Sequence, residues 1–206
     1  MSNNSPLFVT GIGTDVGKTV VSAILVEKLK ADYWKPVQSG DLENSDTMKV
    51  RNLVSNPISK FHPETYRLTQ PLSPHQSAAI DGIKIELNHF KLPETNNQLI
   101  IEGAGGLMVP LNDETFIIDL IQHLKAEVVL VVRNYLGSIN HTLLSLELLK
   151  QKKIKVKALI FNGEENESSE ILIKGHLSLN TKAINTPLLD KLEAHTLSFL
   201  LQNVNL

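Results

Sequence analysis

The stretch Thr10-Gly11-Ile12-Gly13-Thr14-Asp15-Val16-Gly17-Lys18-Thr19 spaces three glycines ahead of a Lys-Thr pair. Those residue types suit a polyphosphate. Glycines let the backbone wrap an anion with no side chain in the way, and unpaired amides at the start of a following helix then point at the phosphates. Lys18 supplies positive charge, and Thr19 offers a hydroxyl to a magnesium ion bridging the phosphates. The common spacing puts a glycine five positions before Gly17, where this chain has Ile12. Gly11 lies one residue early and Gly13 one late, so the loop is a variant phosphate cradle. The plainer alternative is a glycine-rich turn with an incidental Lys-Thr.

Other polar segments close apolar runs further along. Lys35-Pro36-Val37-Gln38-Ser39-Gly40 is followed by Asn44-Ser45-Asp46, and Leu99-Ile100-Ile101 runs into Glu102-Gly103-Ala104-Gly105-Gly106. Asp46 and Glu102 can both face a magnesium ion near Thr19, which takes hard oxygen ligands. Taken alone, Asp46 reads first as the N-cap of a helix starting at Thr47. Glu102 divides evenly between ligand and strand end. Lys35 is either a solvated strand end or a second cation that neutralises charge developing during transfer.

These residues need a frame that gathers them. Apolar runs at Leu7-Phe8-Val9, Tyr33 to Val37, Gln98 to Glu102, Glu127 to Val132 and Val156 to Phe161 read as parallel strands buried on both faces. Helical spacing recurs over Val20 to Lys30, Asp46 to Val54, Phe116 to Leu124, Ile139 to Leu149, Glu167 to Lys174 and Leu188 to Leu201. The alternation predicts an α/β fold, a mainly parallel sheet with helices on both faces. Ligands then bind beyond the carboxyl ends of the strands. The proline-bearing section Ser55 to Pro93 is expected to hold excursions and short helices within one domain spanning 1–206.

Composition narrows the function classes. With 206 residues, 42% hydrophobic, and a formal charge of -2, the chain is sized for one packed enzyme domain and is not basic enough to suggest nucleic acid. It has no cysteine, which points to a reducing, cytoplasmic setting and removes thiolate chemistry. The opening Met1 to Pro6 lacks the basic start and apolar core of a secretory leader, and no apolar run is long enough to span a bilayer. The lysines at 150, 152, 153, 155 and 157 read as a solvated surface near a helix end. His75 and His141 have no second ligand at metal-site spacing, so turn and capping roles are expected.

In order along the chain, Val16-Gly17-Lys18-Thr19, Lys35 to Gly40, Asn44-Ser45-Asp46, Ser73-Pro74-His75, Glu102 to Gly106 and Leu136-Gly137-Ser138-Ile139-Asn140-His141 together resemble the dethiobiotin synthetases. That family consists of ATP-dependent carboxylases of the biotin pathway, and the likeness covers most of the chain. It implies a P-loop NTPase fold, a homodimer, and a need for ATP and Mg²⁺. It implies that Asp15, Val16, Gly17, Lys18, Thr19 and Val20 hold phosphates, and that Thr19, Asp46 and Glu102 ligate magnesium. Lys35, with Lys18, takes the catalytic position. Ser39 and the loop of Glu102, Gly103, Ala104 and Gly105 fall where diamine and phosphates meet. Asn140 falls in a segment reaching the substrate carboxylate from the partner subunit, and Asn162, followed by Gly163, matches an adenine contact.

The implied reaction joins CO₂ to 7,8-diaminononanoate as a carbamate, phosphorylates it from ATP, and closes a cyclic urea. Ile12 and Gly13 stand where the family signature has Thr-Asp, and Pro187-Leu188-Leu189-Asp190 only partly echoes its later adenine segment. A rival of another class is a nucleotide-switched interaction protein, such as a partitioning ATPase or metal-centre chaperone. Those proteins commonly carry a further lysine early in the loop, and Gly11 to Val16 contains none.

Overall fold

The structure, a computed structural model, describes residues 5–187. The helix expected over Leu188 to Leu201 and most of the Pro187 to Asp190 segment lie outside the described residues. The chain runs β1 (Leu7–Gly11), α1 (Lys18–Leu29), β2 (Asp32–Trp34), β3 (Val37–Ser39), α2 (Asp46–Leu53), β4 (Phe61–His62), β5 (Tyr66–Leu68) and α3 (Pro74–Ile80). It continues with β6 (Leu99–Gly106), α4 (Ile117–His123), β7 (Glu127–Val132), α5 (Ser138–Gln151), β8 (Val156–Asn162), α6 (Glu167–Lys174) and β9 (Lys182–Thr186). Among the described residues no helix is long and apolar enough to cross a membrane.

Among the described residues seven strands form one sheet in the order β4-β2-β6-β1-β7-β8-β9, and every strand pair in it is parallel. Val128 to Val132 are buried in succession, as a strand covered on both faces requires. Alternate residues face two cores. Phe8, Ile101, Leu130 and Leu159 pack with Ile117 of α4, Leu149 of α5 and Ile173 of α6. Val9, Ile100, Val131 and Ile160 pack with Ile24 of α1 and Val50 of α2. Each such side chain contributes about 1.5–3 kcal/mol by leaving water, which is what fixes the strand register.

Three local readings are corrected, and the structure adds one strand. α1 is no one-sided amphipathic helix, because Val21 to Val26 are all buried between the sheet and α2. The strand expected over Tyr33 to Val37 breaks at Lys35-Pro36, and Val37–Ser39 pairs instead with β5 in a separate two-stranded parallel sheet. The Pro36 carbonyl accepts from the amides of Thr65 and Tyr66, both at 3.0 Å, which turns the chain into this second pairing. Residues Glu102 to Gly106 are no loop but the second half of β6, with a register irregularity against β1 between Val9 and Gly11. Strand β9, with only Ile184 and Thr186 buried, carries too weak an apolar pattern to stand out in the sequence.

Candidate active site

β1 lies mid-sheet, with β6 on one side and β7 on the other. The chain leaves β1, passes through α1 to β2, and later returns across β1 to β7, so the cradle sits where the strand order switches direction, at the carboxyl ends. Gly17 starts α1 at φ 97, and a Cβ built there would lie 2.0 Å from Asn162 Nδ2. Only glycine meets both demands. Lys18 folds back over the loop, its Nζ donating to the Gly13 carbonyl at 3.2 Å. Burial lowers the pKa of this ammonium, with Glu102 acting the other way.

Lys35 leaves the end of β2 and is 4% exposed, which removes the solvated-end reading. Its Nζ pairs with Asp46 Oδ2 and with Glu102 Oε1, the latter at 3.2 Å, and donates to the Gly103 carbonyl at 3.2 Å. Burial works to lower this lysine's pKa, but Glu102 and Asp46 outweigh it and hold the ammonium above its ordinary value. Burial likewise works to raise the Asp46 pKa, and Lys35, Lys49 and Lys18 bring it below the usual carboxylate range.

Asp46 and Glu102 meet around the Lys35 ammonium, and Thr19 joins them through Glu102, donating its hydroxyl to Oε1 at 2.9 Å. Two carboxylates sharing a cation, one of them also accepting from the Thr19 hydroxyl, offer the hard oxygens magnesium prefers, and the residues fit it. Among the described residues no group of three or more His, Cys, Asp or Glu side chains could hold a metal by itself. A set this small suits Mg²⁺, which keeps waters and takes substrate phosphates as further ligands.

Two partners of these residues carried no sequence signal. Tyr33 is fully buried and donates its hydroxyl to Glu102 Oε2 at 2.9 Å. Burial pushes the phenol pKa well up, with Glu102 adding to it, so the proton stays on the tyrosine. Gln38, 5% exposed, donates to the Gly40 carbonyl at 2.9 Å and accepts from the Asp46 amide at 3.2 Å. It ties the start of α2 to β3. The N-cap of α2 is Ser45, whose hydroxyl accepts from the Met48 amide, so Asp46 is freed from the capping role expected for it.

A cavity of about 800 Å³ opens over these groups. Asp15, Gly17, Lys18, Thr19, Val20, Lys35, Ser39, Asp46, Glu102, Ala104 and Gly105 line it. Ser39 Oγ is buried with no hydrogen-bond partner among the described residues. Val16 is 2% exposed and Gly103 faces Phe8; neither lines the cavity, and each acts through its carbonyl, Val16 toward Asn162 and Gly103 toward Lys35. Asn162 and Gly163, at the end of β8, and exposed Asn140, in the first turn of α5, also lie outside the lining. The N-cap of α5 is Gly137 at φ 103. His75 and His141 make the turn contacts expected of them, to Ser73 Oγ at 3.0 Å and Tyr135 OH at 2.8 Å.

Comparison with solved structures finds the same fold at low identity. The chain is similar to a ParA family ATPase from Chlorobium tepidum, with TM-score 0.53, 12% identity and coverage of 97% and 90% of the two chains. It is also similar to an ADP-bound nucleotide-binding protein from Archaeoglobus fulgidus, with TM-score 0.52, 13% identity and coverage of 94% and 85%. The fold is that of the P-loop NTPases. A family model described as an AAA domain matches residues 5–196. Among curated proteins, the ATP-dependent dethiobiotin synthetase of Christiangramia forsetii is 59% identical over 81% of this chain and 80% of its own length. Its counterpart in Cytophaga hutchinsonii is 54% identical over 82% of each chain. That of Brucella ovis is 46% identical over 94% of this chain and 91% of its own. With the expected loop, lysine and carboxylates gathered in one cavity and identity of this order along most of its length, the chain belongs to the ATP-dependent dethiobiotin synthetase family.

Proposed function

We propose that this chain, as one domain over residues 1–206, carboxylates 7,8-diaminononanoate with CO₂ and closes the product to dethiobiotin, converting ATP to ADP and phosphate. The observation that carries the reading is the meeting of Lys18, Thr19, Lys35, Asp46 and Glu102 in one cavity large enough for a nucleotide and a diamine. One amine of the substrate adds to CO₂ and loses a proton, giving a carbamate. A carbamate oxygen attacks the γ-phosphorus as the bridging oxygen leaves with ADP, forming a carbamic-phosphoric anhydride. The second amine then attacks its carbonyl, and phosphate departs with the ring closed.

Positioning and charge neutralisation supply most of the catalysis in such a transfer. The amides of Asp15 to Val20 hold the phosphates, and Lys18 and Lys35 neutralise charge on the moving phosphoryl group. Thr19, Asp46 and Glu102 would hold Mg²⁺, which would supply Lewis-acid stabilisation of the charge on the phosphates. Ser39, with a buried hydroxyl unpartnered among the described residues, and the strand end Glu102 to Gly105 orient the diamine. Asn162 and Gly163 contact the adenine. ATP and Mg²⁺ are supplied in the cytoplasm, where the reaction is assigned.

A homodimer completes the site, with Asn140 reaching the partner's substrate carboxylate. Support comes from an apolar groove of about 340 Å³ beside the cradle, lined by Ile12, Leu107, Met108, Val109, Leu144 and Leu148 among others. Near it Leu136 is fully exposed and Leu144 is 61% exposed, surface that a second copy would cover. The test is incubation with ATP, Mg²⁺, diamine and ¹³C-bicarbonate. Dethiobiotin carrying the label in its ureido carbon is expected; no labelled product from active, folded protein would reject the proposal.

A further inference from the structure

Asn162 closes β8 and Thr186 closes β9, and the two residues are partners in the parallel register. Their side chains meet. Thr186 Oγ1 donates to Asn162 Oδ1 at 3.1 Å, and Asn162 Nδ2 donates to the Val16 carbonyl at 3.0 Å. Thr186 is 1% exposed, with its hydroxyl also 3.3 Å from the Phe161 carbonyl, and its own carbonyl accepts from the Gly163 amide at 2.9 Å. A carboxamide has one donor end and one acceptor end. Turned over, the Asn162 amide would set its oxygen against the Val16 carbonyl, so the observed arrangement has a single sense.

The same amide lies against Gly17, where no Cβ would fit. Asn162 therefore touches the cradle at two successive residues, immediately before Lys18 and Thr19. A loop containing Gly11, Gly13 and Gly17 has much backbone freedom to lose. If nothing ordered it beforehand, that loss would fall on nucleotide binding and weaken it.

We infer that Thr186 is a positioning residue for the phosphate loop: through the Asn162 amide it holds Val16 and Gly17, and so sets nucleotide affinity from the edge strand β9. The inference rests on the ATP reading above and adds to it a residue outside every motif of the chain. It also gives Asn162 a second duty, since one Nδ2 proton and one Oδ1 lone pair remain for a base.

The test uses the full chain and a ribose-labelled fluorescent ATP analogue, titrated into wild type, Thr186→Val and Thr186→Ser. Valine keeps the shape and removes the hydroxyl; serine keeps the hydroxyl. Thr186→Val should bind the analogue about 3- to 10-fold more weakly, the range for losing one buried hydrogen bond, and Thr186→Ser should stay within about twofold of wild type. Amide exchange should quicken at residues 13–19 in Thr186→Val, with the KM for the diamine unchanged. Should Thr186→Val not fold, Thr186→Ala makes the same comparison. Wild-type affinity in the valine or alanine variant, or equal loss in the serine variant, would overturn the clamp alone. Failure of the wild type to bind the analogue would overturn the ATP reading and the clamp together.

Discussion

Lys35 is held among Glu102, Asp46 and the Gly103 carbonyl, and such a buried set is stable only while it is complete. Lys35→Ala should therefore lower turnover by about 10²-fold or more, the effect of losing one preorganised charge contact in a transition state. It should also destabilise the protein by about 3 kcal/mol when metal is absent, because buried Glu102 loses its paired ammonium and keeps only the hydrogen bonds from Thr19 and Tyr33. Added Mg²⁺ should restore part of that stability in a thermal melt, since the same oxygens would then share a different cation. Near-normal turnover in folded Lys35→Ala would remove its catalytic role. Tyr33→Phe is the finer probe. It deletes one hydrogen bond to a buried carboxylate, so the Mg²⁺ concentration for half-maximal ADP formation should rise about tenfold. An unchanged magnesium titration would show that Tyr33 does not orient Glu102.

At the scale of elements, β2 lies between β4 and β6 and ties the segments leading into both neighbours together. Its first residue, Asp32, is fully buried and accepts from the Lys60 amide at 2.9 Å, Thr95 Oγ1 at 2.7 Å and Asn97 Nδ2 at 2.9 Å, with His62 Nε2 at 3.2 Å. Asp32→Ala should cost about 2–3 kcal/mol in a denaturant melt, because several donors lose a charged acceptor at once. A change under 0.5 kcal/mol would contradict it. The strand, glycine loop and helix were legible because they are consecutive and each has its own residue pattern. Glu102 and Asp46 were legible as candidates because each closes or follows an apolar run. The break at Lys35-Pro36 was not, since an apolar run gives no sign of which sheet it joins. Tyr33 and Glu102 meet across 69 residues, a distance that no local spacing encodes. The Thr186 contact to Asn162 depends on β9, whose exposed Lys182 and Ala183 hide it from pattern reading.

For the molecule as a whole, carboxylates with lowered pKa values set the acid limb of stability, Asp46 and Glu64 among them. Burial acts to raise the pKa values of Asp32, Glu27 and Glu170, and the hydrogen bonds each accepts outweigh it and bring all three below their ordinary values. As pH falls below about 4, the unfolded chain takes up protons that the folded chain still refuses. Stability from these groups is present above that value and lost as pH drops through the folded pKa values; Lys35, shifted upward, gives way only above its ordinary value of about 10.4. Melting temperature should thus be level near neutrality and fall at the acid end. A melting temperature that did not fall below pH 4 would contradict it.

Assembly has its own test, in which inactive Lys35→Ala and Asn140→Ala chains are mixed under subunit exchange. A site shared between subunits should regain activity in the heterodimers, and demonstrated heterodimers without activity would refute the shared site. The most direct measurement of the central claim is ADP release by the wild-type protein with Mg²⁺ and ATP, with and without 7,8-diaminononanoate and bicarbonate. One ADP per dethiobiotin, and almost none when either co-substrate is withheld, is the predicted result. Slow ADP release that ignores both, as a nucleotide-switched protein would give, is the result that would contradict it.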